Sequence, residues 1–182
     1  HGGQSVPNFD YGMAPGVKKA YKRLYVTNLG KMLDFLEDVE DGVERMKALA
    51  GKIEHEHGVF PCMAWDNNYE ELELAELIKF IPEAEAKKMQ DRSRKFADKE
   101  IRRKTYQAME AFIHNLNTMH SRAGAQVPFS SINYGTDTSP EGRLVMESVM
   151  LATEAGLGNG ETPIFPIQIF KVKEGVNYNP KI

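Results

Sequence analysis

The chain lacks most of the residues and runs that announce a function. Cysteine occurs once, at Cys62, which excludes an internal disulfide and favours a reducing, cytoplasmic setting. No stretch approaches the roughly eighteen apolar residues of a membrane helix, and no charged-then-apolar leader precedes a cleavage site. An excess of one charge is missing too. The 23 Lys and Arg stand against 26 Asp and Glu, a net −3, which gives no bulk attraction to nucleic acid. There is no Cys-x-x-Cys, no Ser–His–Asp order and no paired-carboxylate signal. What is present is a globular composition, 41% hydrophobic and 27% charged, which sets aside a disordered tail, a collagenous repeat and a disulfide-stapled module. The 182 residues suit one domain by length. Yet the chain opens on His1, not Met, and stops at Asn179-Pro180-Lys181-Ile182 without a helix end, so the expectation is an internal piece of a longer protein.

Residues 1–17 read as a loop: Gly2-Gly3 free the backbone, Pro7 and Pro15 break ladders, and Ser5-Val6 with Asn8-Phe9 suggest a short strand. From Val17 apolar residues recur at three and four, with Lys18, Lys19, Lys22 and Arg23 outward. Gly30 is expected to interrupt this helix, a second run covers 32–49, and Gly51 is its expected end. Residues 51–69 are the least regular, while 70–81 and 83–120 are helical, the latter with Tyr106, Met109, Phe112, Ile113, Leu116 and Met119 as one stripe. The mixed charges of 87–104 read as a solvated helix face. A strand is expected over 129–134. Ser139-Pro140-Glu141 then opens a helix to Ala155: a capping hydroxyl, proline at the first helical position and an early acid, with Gly156 as a left-handed cap. The last run, 164–172, is apolar apart from Gln168 and Lys171 and reads as a strand buried on both sides. Strand, long helical stretch, strand, helix, strand is the rhythm of an α/β barrel or a layered α/β sheet. Gly2-Gly3-Gln4-Ser5-Val6-Pro7 is echoed by Gly124-Ala125-Gln126-Val127-Pro128, either by chance or as the entrances of two duplicated half-barrels.

The chemistry-bearing residues do not complete a site. His55, His57 and Cys62 are zinc-compatible, but no fourth ligand follows at a helpful spacing, and a solvated turn is the plainer reading. His114 and His120 fall on different helix faces. Cys62, between Phe60-Pro61 and Met63, reads as buried, inert packing. The glycines of Gly156-Leu157-Gly158-Asn159-Gly160 follow a helix instead of opening one, so they make a turn and not a phosphate site. Arg92, Arg94, Lys95, Arg102, Arg103 and Lys104 could hold a phosphate, but they read first as the wet side of a helix.

Longer strings are more informative. Thr105-Tyr106-Gln107-Ala108-Met109-Glu110 and His114-Asn115-Leu116-Asn117-Thr118-Met119 lead into Ser121-Arg122-Ala123-Gly124-Ala125-Gln126-Val127-Pro128-Phe129-Ser130-Ser131-Ile132-Asn133. Thr136-Asp137-Thr138-Ser139 and Gly156-Leu157-Gly158-Asn159-Gly160-Glu161-Thr162-Pro163-Ile164-Phe165-Pro166 follow. Together with the opening His1-Gly2-Gly3-Gln4-Ser5-Val6-Pro7-Asn8-Phe9-Asp10 and Met13-Ala14-Pro15, the chain resembles the oxygen-sensitive anaerobic ribonucleoside-triphosphate reductases, the class III ribonucleotide reductases. Residues 51–98 carry little of the likeness.

The resemblance implies an α/β fold, part of a ten-stranded barrel of two half-barrels and helix-rich in this segment. It implies that 1–182 is an incomplete piece of one catalytic domain, with a strand and loop entrance over 1–12, interface-forming helices over 13–122, and strand-helix-strand barrel wall over 123–182. The implied reaction converts ribonucleoside triphosphates to deoxyribonucleoside triphosphates. A glycyl radical oxidises a finger-loop cysteine, the thiyl radical takes a ribose hydrogen, and formate or a dithiol supplies electrons. A C-terminal zinc site, ATP or dNTP effectors, a homodimer and an activase using S-adenosylmethionine and an iron–sulfur cluster are implied as well. The chain departs from that pattern in having no glycyl-radical motif and no four-cysteine set, so no catalytic residue and no metal ligand is expected within it. Gln4, Ser5, Ser130, Ser131 and Asn133, at strand entrances, are the candidates for substrate hydroxyls or phosphate. Lys18, Lys19, Lys22 and Arg23 are the candidates for a dNTP phosphate. A non-catalytic nucleotide-effector-binding or dimerisation module derived from the same barrel is the alternative.

Overall fold

A computed structural model of the chain describes residues 3–118 and 127–179. Its elements run β1 (Gly3–Val6), α1 (Phe9–Leu36), α2 (Gly42–His57), α3 (Tyr69–Leu77), α4 (Glu83–Thr118), β2 (Phe129–Tyr134), α5 (Pro140–Ala155) and β3 (Ile167–Phe170). They form two compact units, one of residues 1–17 and 102–182, the other of 18–101. His120, Met119 and the Gly124-Ala125-Gln126 half of the internal echo lie outside the described residues.

The first unit holds the sheet. Its three strands lie in the order β1-β2-β3, and both pairings are parallel. Gln4 lies beside Ser130 and Ser5 beside Ser131, while Ser131 and Asn133 lie beside Ile167 and Ile169. The α/β class and the helix-rich character hold. The ten-stranded barrel is not visible in this segment, because β1 and β3 are the two edges of an open three-stranded sheet and closure needs every strand to have two neighbours.

α5 follows its local signals. Ser139 Oγ accepts a hydrogen bond from the Gly142 amide at 3.1 Å, Pro140 takes the first helical position, and Gly156 ends the helix with φ 77° and ψ −167°, a positive φ but not the left-handed helical cap expected of it. Leu144, Val145, Val149 and Ala152 form its buried stripe. The run after it departs from expectation. β3 is shorter than 164–172 and is not buried on both sides: Ile167, Ile169, Phe170 and Val172 are all exposed. It is an edge strand here, covered only at Gln168, since Phe170 on the same face is exposed. Gln168 Oε1 accepts from the Tyr134 hydroxyl at 2.6 Å, and its Nε2 donates to Thr153 Oγ1 on α5 at 2.6 Å, which accounts for the one polar residue within β3.

α1 begins at Phe9, well before Val17, and runs through Pro15. Local breakers are outweighed there by tertiary anchors. Phe9 stacks on Phe112 with centroids 5.2 Å apart, and the Tyr11 hydroxyl donates to Thr136 O at 2.9 Å. Asp10 is completely buried at the same turn.

In the second unit, Gly30 does not interrupt α1. A Cβ there would meet Val43 N at 2.7 Å and Gly42 O at 2.8 Å, so the glycine permits α1 and α2 to touch backbone to backbone. The break comes at 37–41, where Asp38 and Asp41 have φ of 52° and 57°, and Asp34 Oδ1 accepts the first α2 amide, that of Gly42, at 2.7 Å. α2 passes through Gly51 and ends instead at Gly58, φ 68°. α4 reads as expected on its wet side, with Lys87–Glu83 at 2.9 Å and Lys95–Asp91 at 2.7 Å. Its dry side in this unit is Ala86, Met89, Gln90, Ser93, Ala97 and Ile101, spaced by three and four.

Candidate functional site

Parallel strands in register put side chains of paired residues on one face, and successive residues alternate. Ser5, Ser131 and Asn133 therefore share a face with Phe129, Ile167 and Ile169. Gln4 and Ser130 share the opposite face with Ile132, Tyr134 and Gln168. The second face is the one α5 covers through Gln168 and Thr153, and Ile132 and Tyr134 are only 1% and 4% exposed. The first is open at Phe129, 53% exposed, Ile167, 42%, and Ile169, 47%, but Ser131 between them is only 9% exposed. The five candidate substrate residues are thus brought onto neighbouring strands but divided between the two faces. Ser130 Oγ and Asn133 Oδ1 are buried without a hydrogen-bond partner among the described residues.

The C-terminal rim of the sheet is braced by residues that sequence spacing does not single out. Asp10, in the first turn of α1, accepts the Gly135 and Asp137 amides on Oδ2, each at 3.0 Å, and the Tyr11 amide on Oδ1 at 3.0 Å. Burial pushes its pKa up, but those backbone donors outweigh burial and hold the carboxyl below its ordinary value. Asp137 Oδ1 accepts the Ser139 amide at 2.9 Å, and a Cβ on Gly142 would collide with the Asp137 carboxylate. Lys171 donates to Pro7 O, and to Asn8 Oδ1 at 2.7 Å. The Asn177 amide donates to Gly135 O at 2.6 Å and to Lys171 O at 2.8 Å. The loops after β1, β2 and β3 are thereby fastened to one another. Asn117 does the same at the other end, donating to Ile113 O and Phe165 O and accepting from the Ile164 and Phe165 amides. The acid immediately after Pro7-Asn8-Phe9 is the one available signal for Asp10; the partners of Asn117 and Lys171 are too remote in sequence to infer.

The cationic candidates lie on α1 in the second unit. Lys18, Lys19 and Arg23 are exposed; the Lys22 ammonium pairs with Glu54 and lies 5.8 Å from the Phe60 ring centroid. The Arg94 guanidinium lies over Trp65, 5.2 Å from its centroid, and Arg102 pairs with Glu147 at 3.8 Å, so both have contacts on the protein itself. Cys62 is half-buried, not buried as expected, because its turn leaves one side open. Its thiol donates to Asp66 Oδ1 at 3.6 Å, and burial pushes its pKa up. That environment disfavours the thiolate. Deepest in this unit is Glu73, fully buried, which accepts the Tyr25 and Tyr69 hydroxyls at 2.6 Å each and Gln90 Nε2 at 3.0 Å. Burial raises its pKa despite those donors. Among the described residues, no group of three His, Cys, Asp or Glu could hold a metal ion, and no helix is long and apolar enough to cross a membrane.

Comparison with known proteins assigns these features a context. The family described as anaerobic ribonucleoside-triphosphate reductase matches residues 1–182. Among curated proteins of that name, the one from Escherichia coli K12 is 33% identical over 99 residues, which is 54% of this chain and 12% of that protein. The Haemophilus influenzae protein is 34% identical over 80 residues, 43% of this chain and 11% of its own length. The one from Enterobacteria phage T4 is 35% identical over 100 residues, 54% of this chain and 16% of its own length. The matched stretch therefore spans less than a fifth of each relative.

Proposed function

Because the chain belongs to the anaerobic ribonucleoside-triphosphate reductase family, we propose that it is part of an enzyme reducing ribonucleoside triphosphates to deoxyribonucleoside triphosphates. The family match along all 182 residues is the observation that carries this reading. The three parallel strands are then consecutive staves of the ten-stranded barrel, with α5 outside and the open face within. On that inner face Ser5, Ser131 and Asn133 meet the nucleotide, while Gln4 and Ser130 sit at the strand entrances behind them.

The radical and metal groups of such an enzyme do not fit this chain. It has one cysteine, Cys62, where the implied chemistry calls for several, and its described residues offer no metal cluster. The radical glycine, the catalytic cysteines and the zinc set belong to residues outside 1–182. What these residues do is bind and orient: the Asp10, Lys171 and Asn177 bonds fix the rim loops, and the open face receives substrate. Lys18, Lys19 and Arg23, with Lys22 beside them, take the phosphates of a dNTP effector at a homodimer interface. The activase is a second partner of the longer protein.

The test is anaerobic activation of the full-length protein followed by an assay of deoxyribonucleotide formation from each ribonucleoside triphosphate, with formate or a dithiol as reductant. Formation of the deoxy product is expected. Activated protein that forms none, yet binds dNTPs by calorimetry, would support the effector-binding or dimerisation module instead.

A further inference from the structure

β2 presents two buried polar atoms with no hydrogen-bond partner among the described residues, Ser130 Oγ and Asn133 Oδ1. Three positions apart on a strand, they lie on opposite faces. Ser130 is itself buried on the side that α5 covers, where an ordered water is the ordinary partner. Asn133 is only half-buried and lies on the open face, but its Oδ1 is itself shielded from solvent, so a ligand meets the amide there only as the side chain turns. Turning about χ2, that amide offers a carbonyl acceptor or a pair of N–H donors in the same place. The backbone there is fixed by pairing to β3, and to β1 as far as Ile132, which leaves the amide's orientation to be set by whatever it meets.

The neighbours say what that is. The residues in register on this face are Ser5, Ser131, Phe129, Ile167 and Ile169, and none of them carries a charge. A triphosphate has no donors and is bound by cations and backbone amides. A sugar hydroxyl both donates and accepts, as does a carboxamide or a serine, and it needs no countercharge. From this juxtaposition we infer that Asn133, with Ser131 two residues before it, grips a ribose hydroxyl of the ribonucleotide and not its phosphates. The inference rests on the ribonucleotide-reducing reading of the chain and specifies which part of the substrate its open face recognises.

The experiment uses the activated full-length enzyme with Asn133→Ala and Asn133→Asp, each checked for an unchanged melting midpoint. Loss of one neutral hydrogen bond predicts a KM for Asn133→Ala raised roughly three- to tenfold, with kcat changed less. The rise should be alike for purine and pyrimidine substrates. Asn133→Asp keeps an acceptor, so it should recover part of the loss; a carboxylate beside phosphates would instead make it worse than alanine. Comparing substrate with deoxy product resolves the hydroxyl: discrimination against the product falls if it is the 2′ group, and both weaken if it is the 3′ group. An Asn133→Ala enzyme with wild-type KM, or an Asn133→Asp enzyme weaker than Asn133→Ala, would overturn the inference alone. Should Asn133→Ala not fold, the nearly isosteric Asn133→Asp decides against wild type: a KM rise within about tenfold supports a hydroxyl contact, and a larger one excludes it. Wild-type enzyme that forms no deoxyribonucleotide overturns the functional reading, and the inference with it.

Discussion

Two carboxyl groups, Asp10 and Glu73, are both fully buried yet shifted in opposite directions, and the donors around them explain the difference. Asp10 faces backbone amides that cannot turn away, including those of Gly135 and Asp137, so its charged form is held. Its folded pKa lies below the unfolded value of about 3.9, so its contribution is complete above that value and is lost as pH falls through the folded one. Asp10→Asn should cost about 1–3 kcal/mol near neutrality. The difference from wild type should shrink steadily in acid, which denaturant unfolding at a series of pH values would measure. Glu73 faces two phenols and an amide, with Glu70 nearby and burial dominant, so its neutral form is favoured. The sign reverses. Its contribution is present below the unfolded value of about 4.3 and is lost as pH rises through the raised folded value. Glu73→Gln, which mimics the protonated acid, should match wild type near pH 4 and melt higher than wild type in alkali. A variant losing stability equally at every pH would contradict this account.

At the level of elements, glycine has opposite meanings in two helices. Gly30 has the local character of an interruption, but it is the point where α1 and α2 approach backbone to backbone, and its Cβ would fall within 2.7 Å of Val43 N. Gly30→Ala should therefore destabilise by roughly 1–3 kcal/mol despite alanine's better helix propensity, as overpacking does. Thermal melts would show it, and a raised midpoint would mean the helices can separate at no cost. At Gly51 a Cβ would meet nothing within 4 Å, so the position is free to stay helical, and α2 ends at Gly58 instead. The extent of α5 is legible because its start, stripe and stop are all local: Ser139, Pro140, the buried apolar row and Gly156. The beginning of α1 is not, because Pro15 is a local veto that Phe112 and Thr136, each about a hundred residues away, override.

For the whole molecule, the open sheet face and the unpaired edge of β3 dominate. Ile164, Ile167, Ile169, Phe170 and Val172 are exposed on and beside an edge strand, at both of its faces, an arrangement that favours pairing with another chain. Residues 1–182 expressed alone should therefore self-associate in a concentration-dependent way, and Ile169→Lys should reduce that association in light scattering. A monodisperse monomer at high concentration would refute the expectation. The sequence by itself determined the α/β class, the order of elements, the family and the polar residues at the strand entrances, because periodicity, caps and specific strings are local properties. Only the tertiary structure decided that Gln4 and Ser130 lie opposite Ser5, Ser131 and Asn133, and that Asp10, Asn117 and Lys171 brace the sheet. Strand register and buried polar pairing join residues more than a hundred, or nearly fifty, positions apart, and no local pattern encodes which partner a carboxylate or an amide will find.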